Sequence, residues 1–186
     1  MQKIIFIVYI FFLLPYSTTM ANEEASYDVV HKTDIYEVRY YSDRLVAQVT
    51  NKGDNNSFRK LFNYISGENK NSEKIAMTIP VTQTKKDGEL FMQFYLPSKF
   101  NKETTPIPTN PDLEITTISE GYFAVIKFSG RSSDKNFEKH NKILKQKLLD
   151  DKIPINGFAV RATYNSPFTL PPLRRNEAMF SIDWKS

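Results

Sequence analysis

Residues 36–53, "YEVRYYSDRLVAQVTNKG", lie without a gap over residues 113–130, "LEITTISEGYFAVIKFSG". Glu37 falls on Glu114, Ser42 on Ser119, Ala47 on Ala124 and Gly53 on Gly130, and the alternation of apolar and polar positions coincides throughout. Period-two alternation marks half-buried strands. Each copy is followed by a stretch with helical spacing and then by two more strand-like runs. A β-β-α-β-β unit cannot cover its own apolar face, so the two copies must pack together. The expected fold is α+β, with internally duplicated β-β-α-β-β halves forming a distorted antiparallel barrel of about eight strands, flanked by two helices.

The local signals fill in this plan. "YEVRYY" and "RLVAQVT" meet at Ser42-Asp43, which reads as a hairpin turn. In "SFRKLFNYI", Phe58, Leu61, Phe62 and Ile65 recur at i, i+3, i+4 and i+7, so this helix carries them on one apolar face. Asn56 or Ser57 suits its N-cap and Gly67 its stop. "KIAMTIPVTQ" opens a strand over residues 74–84 with Ile75, Met77, Ile79 and Val81 on one face. Pro80, lacking an N–H, demands an edge or a bulge there, or else ends the strand. Lys86-Asp87-Gly88 turns the chain into "ELFMQFYLP". The proline-rich residues 97–111 read as a surface linker. A second helix spans about residues 133–150 with Phe137, Leu144 and Leu148 inward, and strands follow near 157–164 and 177–184.

The first residues, "MQKIIFIVYIFFLLPYSTTMA", combine Lys3, an apolar run from Ile4 to Leu14 and a small-residue close at Thr19-Met20-Ala21. That is the pattern of a secretory signal peptide over residues 1–21, too short in its apolar run to span a bilayer. A secreted or periplasmic monomer without a stable membrane span follows, its domain covering residues 22–186. Losing the leader removes Lys3 and no acid, leaving +3 of the formal +4. Acids and bases are interspersed, which gives nucleic acid no footprint. With no cysteine, an exported chain must hold together by packing alone, and thiolate catalysis or zinc–cysteine sites are excluded.

Catalysis has no visible constellation. His31 and His140 are the only histidines, too few for a multi-histidine metal site. G-x-S-x-G, G-x-G-x-x-G and Walker-type loops are all missing. Arg174 and Arg175 in "LRRNE" offer forks that suit a carboxylate ligand; the alternative is pairing with the protein's own acids, Glu177 or Glu37. A non-enzymatic binding role is the default reading.

The ordered set "YEVRYY", "YISGENK", "KIAMTIPV", "FMQFYLP", "PIPTNPDLEI", "ATYNSP" and "RRNE", spread over residues 27–184, resembles the SOUL haem-binding protein family. The resemblance implies a module that binds haem or a related tetrapyrrole in an apolar cleft between the first helix and the loop before the last strand. Carried onto this chain, the helix supplies Phe58, Leu61, Phe62 and Ile65, and the loop supplies Tyr164, Phe168 and Leu170. Asn63 and Thr169 occupy positions where one branch carries lysines, so Lys60, Arg59, Arg174 or Arg175 would have to stand near the propionates in their place. Tyr40 stands where another branch has a proposed histidine ligand. Tyrosine can ligate ferric haem; the alternative is a strand aromatic packed on its neighbours. A general apolar-ligand or peptide-binding module of the cell envelope would use the same cleft.

Overall fold

The computed structural model describes residues 22–51 and 56–185; the signal segment expected over residues 1–21 lies outside them. In chain order the elements are β1 (Glu23–Glu24), β2 (Asp28–Lys32), β3 (Glu37–Tyr41), β4 (Arg44–Asn51), α1 (Ser57–Ile65), β5 (Thr78–Ile79), β6 (Val81–Lys86), β7 (Glu89–Tyr95), β8 (Leu113–Ile118), β9 (Gly121–Phe128), α2 (Asp134–Asp150), β10 (Val160–Thr163) and β11 (Asn176–Ile182). A single 3₁₀ turn, Pro171–Leu173, precedes β11. Nine strands form one antiparallel sheet in the order β2-β3-β9-β11-β10-β6-β7-β4-β8, curled into a half-barrel. β1 and β5 make a separate parallel pair.

The duplication is real, but the copies exchange strands. β3 pairs with β9, and β8 pairs with β4, so the first strand of each copy lies against the second strand of the other. The register obeys the sequence repeat: Glu37↔Val125 recurs as Glu114↔Gln48, its repeat-equivalent pair. β6 and β10 join the halves at the centre through Ala162↔Thr82 and Val160↔Thr84.

Ser42-Asp43 is therefore no hairpin turn. Two-residue hairpins need positive φ, and neither residue adopts it. The link instead carries the chain from one half to the other, where Asp43 Oδ1 accepts from the Glu120 backbone N–H at 2.7 Å. Asp87 and Gly88 do have positive φ, 52° and 86°, and they close the β6–β7 hairpin as expected.

The single strand expected over residues 74–84 is broken at Pro80, which is buried and joined to Ile79 by a cis bond. Thr78 and Ile79 pair with β1, and the chain from Val81 onward pairs with β7 and β10. A proline can supply no ladder donor at the junction. Residues 97–111 are not a bare linker either. They strap the end of α1, with Tyr64 Oη donating to the Pro106 carbonyl at 2.8 Å and the Lys70 N–H to that of Ile107 at 2.9 Å.

Both helices lie on one face of the sheet. Phe94, Val81 and Thr163 stand directly opposite one another across β7, β6 and β10, and opposed residues share a face. Phe94 lies under α1, while Thr163 Oγ1 is 3.2 Å from Ser132 Oγ at the start of α2. α1 covers Ala47, Val49, Met92 and Leu113; α2 covers Val38, Ala124, Ile126 and Phe180, with Phe137, Leu144 and Leu148 pointing in as the spacing implies. Burying each large apolar side chain contributes about 1.5–3 kcal/mol. The other face, the hollow of the half-barrel, holds Tyr41, Val125, Ala162, Tyr164 and Met179.

Candidate ligand-binding site

The face that α1 turns to the sheet is narrower than expected. Leu61, Tyr64 and Ile65 form the buried stripe, so Leu61 and Ile65 are core residues with no surface left for a ligand. Tyr64 joins them because the Pro106 carbonyl satisfies its hydroxyl. Phe58 and Phe62 are left on the flank, 49% and 50% exposed. One helical turn apart, their rings lie 6.2 Å between centroids and 11° from parallel, and Phe58 rests edge-on against Phe94 at 5.2 Å. The result is a short aromatic wall open to solvent.

Gly67 fixes where the helix ends. Its φ of 115° lets the Glu68 N–H reach the Asn63 carbonyl at 3.0 Å and its own N–H that of Tyr64 at 3.2 Å, the Schellman pattern.

The loop before β11 leaves the end of β10. Its base, Thr163, lies two strand spacings, about 10 Å, from Phe94 through Val81. Phe168 is 95% exposed and Leu170 is exposed. Arg174 braces this loop, donating from Nε to the Thr169 carbonyl at 2.7 Å and from Nη2 to that of Pro167 at 2.6 Å. Arg175 is held by Glu24 in a fork of 2.7 and 3.0 Å and by Glu177 at 3.0 Å, over the Tyr164 ring. Arg175 is thus paired with the protein's own acids, Glu177 among them as the pairing alternative anticipates, whereas Arg174 is engaged by loop carbonyls instead. Lys60 pairs with Asp112 at 2.9 Å.

Besides Leu61 and Ile65, two more expected site residues do not join the wall. Tyr164 turns to the opposite face, buried, with its hydroxyl donating to Glu177 Oε2 at 2.6 Å. Tyr40 sits on β3, with β9, β11, β10 and β6 between it and the β7 strand beneath α1. Its hydroxyl donates to Glu120 Oε2 at 2.6 Å and its ring packs on Tyr122, the strand-aromatic alternative. The hydrogen bond to Glu120 raises its pKa, the reverse of what would favour a phenolate ligand. His140 stacks on Phe128 at 4.1 Å, its Nδ1 donating to the Asn136 carbonyl. Among the described residues no cluster of three or more His, Asp or Glu could hold a metal ion.

A polar network in the hollow escaped the sequence reading. Arg39 and Glu177 pair there with both side chains fully buried. Glu177 also accepts from Tyr164 and Arg175, and Glu37 accepts from Arg39 and Lys127. The Arg39 guanidinium lies 4.2 Å from the Tyr27 ring centroid. Burial would lower the pKa of Arg39, but the contacts with Glu177 raise it instead. Burial raises Tyr41 and Tyr164. Glu177, with four donors on its two oxygens, is a saturated counter-ion with no lone pair spare for general-base work.

Comparison with known proteins gives a coherent answer. The family model described as SOUL heme-binding protein matches residues 22–181. The mouse (Mus musculus) protein "Heme-binding protein 2" is 28% identical over 177 residues, covering 88% of this chain and 85% of its own. Its human (Homo sapiens) counterpart is 29% identical over 161 residues, covering 79% and 77%. Among solved structures, the EcmrR C-terminal domain superposes with a TM-score of 0.61 at 10% identity, over 80% of this chain and 96% of that one. A structure described as a hydrolase from Listeria innocua superposes at 0.58 and 11% identity, over 83% and 94%. At such identities these two likenesses concern the fold alone. Among the described residues no helix is long and apolar enough to cross a membrane.

Proposed function

The chain belongs to the SOUL heme-binding protein family, and on that footing we propose that it binds haem or a related tetrapyrrole, without turning it over, against the aromatic wall of α1. The observation that carries this reading is the pair Phe58 and Phe62, half exposed and nearly parallel on a helix that had room to bury only one stripe. A porphyrin is a wide apolar plate with anionic edges, and a flat aromatic wall beside cations suits it. Phe168 and Leu170, exposed on the loop that follows β10, supply the second wall. With Arg174 and Arg175 engaged, the charge for the propionates comes from Arg59 and Lys60 on α1, the latter exchanging Asp112 for a propionate. Burial of apolar area supplies most of the affinity, and no protein side chain ligates the iron. Among the described residues the fully buried carboxylate, Glu177, is saturated, which gives turnover no support there.

The test is a titration of the protein with haemin, followed at the Soret band, beside iron-free protoporphyrin IX followed by fluorescence. Saturable one-to-one binding of both, at similar affinity, is expected. Saturation by haemin alone would overturn the unligated site, and saturation by neither would move the wall to a peptide or another apolar ligand.

A further inference from the structure

On the far side of the sheet from α1, the hollow of the half-barrel contains a second cavity of about 170 Å³, walled by Arg44, Gln93, Tyr95, Ile118, Phe123 and Met179, with no carboxylate among its lining residues. Arg44 is 8% exposed, and its Nε and Nη2 have no hydrogen-bond partner in the protein. Its guanidinium faces are covered, lying 4.2 Å from the Tyr41 ring centroid and 4.8 Å from that of Phe123. Rings satisfy the faces of a guanidinium, not the N–H groups along its edge. A buried charge with unpaired donors is costly and is retained where something pairs with it.

We infer that Arg44 is the anchor of a site for a small carboxylate with a compact apolar body, its oxygens on the free edge of Arg44 and its body among Tyr95, Ile118, Phe123 and Met179. Planar forks recognise carboxylates through paired N–H groups, and the remaining walls offer rings, alkyl groups and the Thr84 hydroxyl, the Gln93 amide being held by Thr82 and Gln48. A cavity of this volume holds an acid of the size of benzoate and is far too small for a tetrapyrrole. Arg44 also lines an open groove of about 760 Å³ at the end of the half-barrel, which gives a route in from solvent. Of the four acids lining that groove, three are already engaged, Glu23 by the Ser98 N–H, Glu24 by Arg175 and Asp43 by the Glu120 N–H; the fourth is Glu103.

The inference is tested by calorimetric titration of the whole protein with sodium benzoate and, separately, with benzamide, its neutral isostere. Saturable one-to-one binding of benzoate is expected, with benzamide weaker by roughly tenfold or more, the worth of the lost charge-assisted hydrogen bonds. This comparison needs no substitution, so misfolding cannot obscure it. Arg44→Met, checked for native melting, should weaken benzoate by a similar factor, and saturating haemin should leave benzoate binding unchanged. Equal binding of benzamide, no saturable binding of benzoate, undiminished binding in a folded Arg44→Met protein, or displacement by haemin would each overturn the assignment.

Discussion

Arg39 and Glu177 meet edge to edge, Nη1 on Oε2 and Nη2 on Oε1, each at 3.0 Å, with both side chains wholly buried. Arg39 comes from the first strand of one copy and Glu177 from the last strand of the other, so the pair ties the exchanged halves across β9. Removing one partner leaves a buried charge, so Arg39→Met or Glu177→Leu alone should cost about 3–5 kcal/mol in urea unfolding. The double substitution Arg39→Met/Glu177→Leu should cost much less than the two singles added together. Simple additivity would show that the two do not act as a unit.

Burial pushes Tyr64 up to about 12 and also raises Tyr36, Tyr41, Tyr95 and Tyr164. Above about pH 10 the unfolded phenols ionise while the folded ones stay protonated. The unfolded state then binds fewer protons, and stability falls as pH rises. The contribution is intact below about pH 10 and is lost toward the folded values. Urea midpoints should therefore decline between pH 9.5 and 11.5; a flat profile across that window would contradict the burial of these phenols.

The acid limb has the opposite sign. Burial alone would raise Glu37, but hydrogen bonds from Arg39 and Lys127 outweigh it and hold the carboxyl below its ordinary value. Its contribution is present above the unfolded carboxylate value of about 4.3 and is lost as pH falls through the lower folded one. Glu37→Gln should flatten the acid decline in the urea midpoint below pH 4.5, and an unaltered decline would remove Glu37 as its source.

The two sides of α1 should part on truncation. Leu61→Ala removes a fully buried side chain and should cost about 2–5 kcal/mol. Phe62→Ala, at a half-exposed site, should cost under about 1.5 kcal/mol. The reverse order in thermal or urea unfolding would mean that the helix is rotated on the sheet.

Tyr40→Phe should leave the Soret band of bound haemin unmoved, since the Tyr40 hydroxyl is held by Glu120 on another part of the sheet. A shifted or weakened band would restore it as an iron ligand.

The duplicated α+β plan was legible because a gapless repeat with period-two alternation leaves few ways to bury two apolar faces. The strand exchange was not, since a hairpin and a crossover show the same alternation, and only the φ values at Ser42-Asp43 separate them. β2 carried no signal because every residue in it is exposed. On α1, Leu61 and Ile65 share the i+3/i+4 spacing with Phe58 and Phe62; what turned the helix was Tyr64, whose hydroxyl found a carbonyl 42 residues downstream. Glu177 was legible as a partner for Arg175, but its pairing with Arg39 went unread because charged residues in strands ordinarily face water. Phe58, Phe62, Phe168 and Leu170 were legible as candidate wall residues; their exposure was not.

The most direct measurement compares haemin titrations of the wild-type protein and Phe62→Asp, followed at the Soret band, with melting curves recorded for both. The wild type should saturate at one haemin per chain, while Phe62→Asp should melt cooperatively as a folded protein and show no saturable shift. Equal binding by a folded Phe62→Asp protein would place the tetrapyrrole somewhere other than the α1 wall.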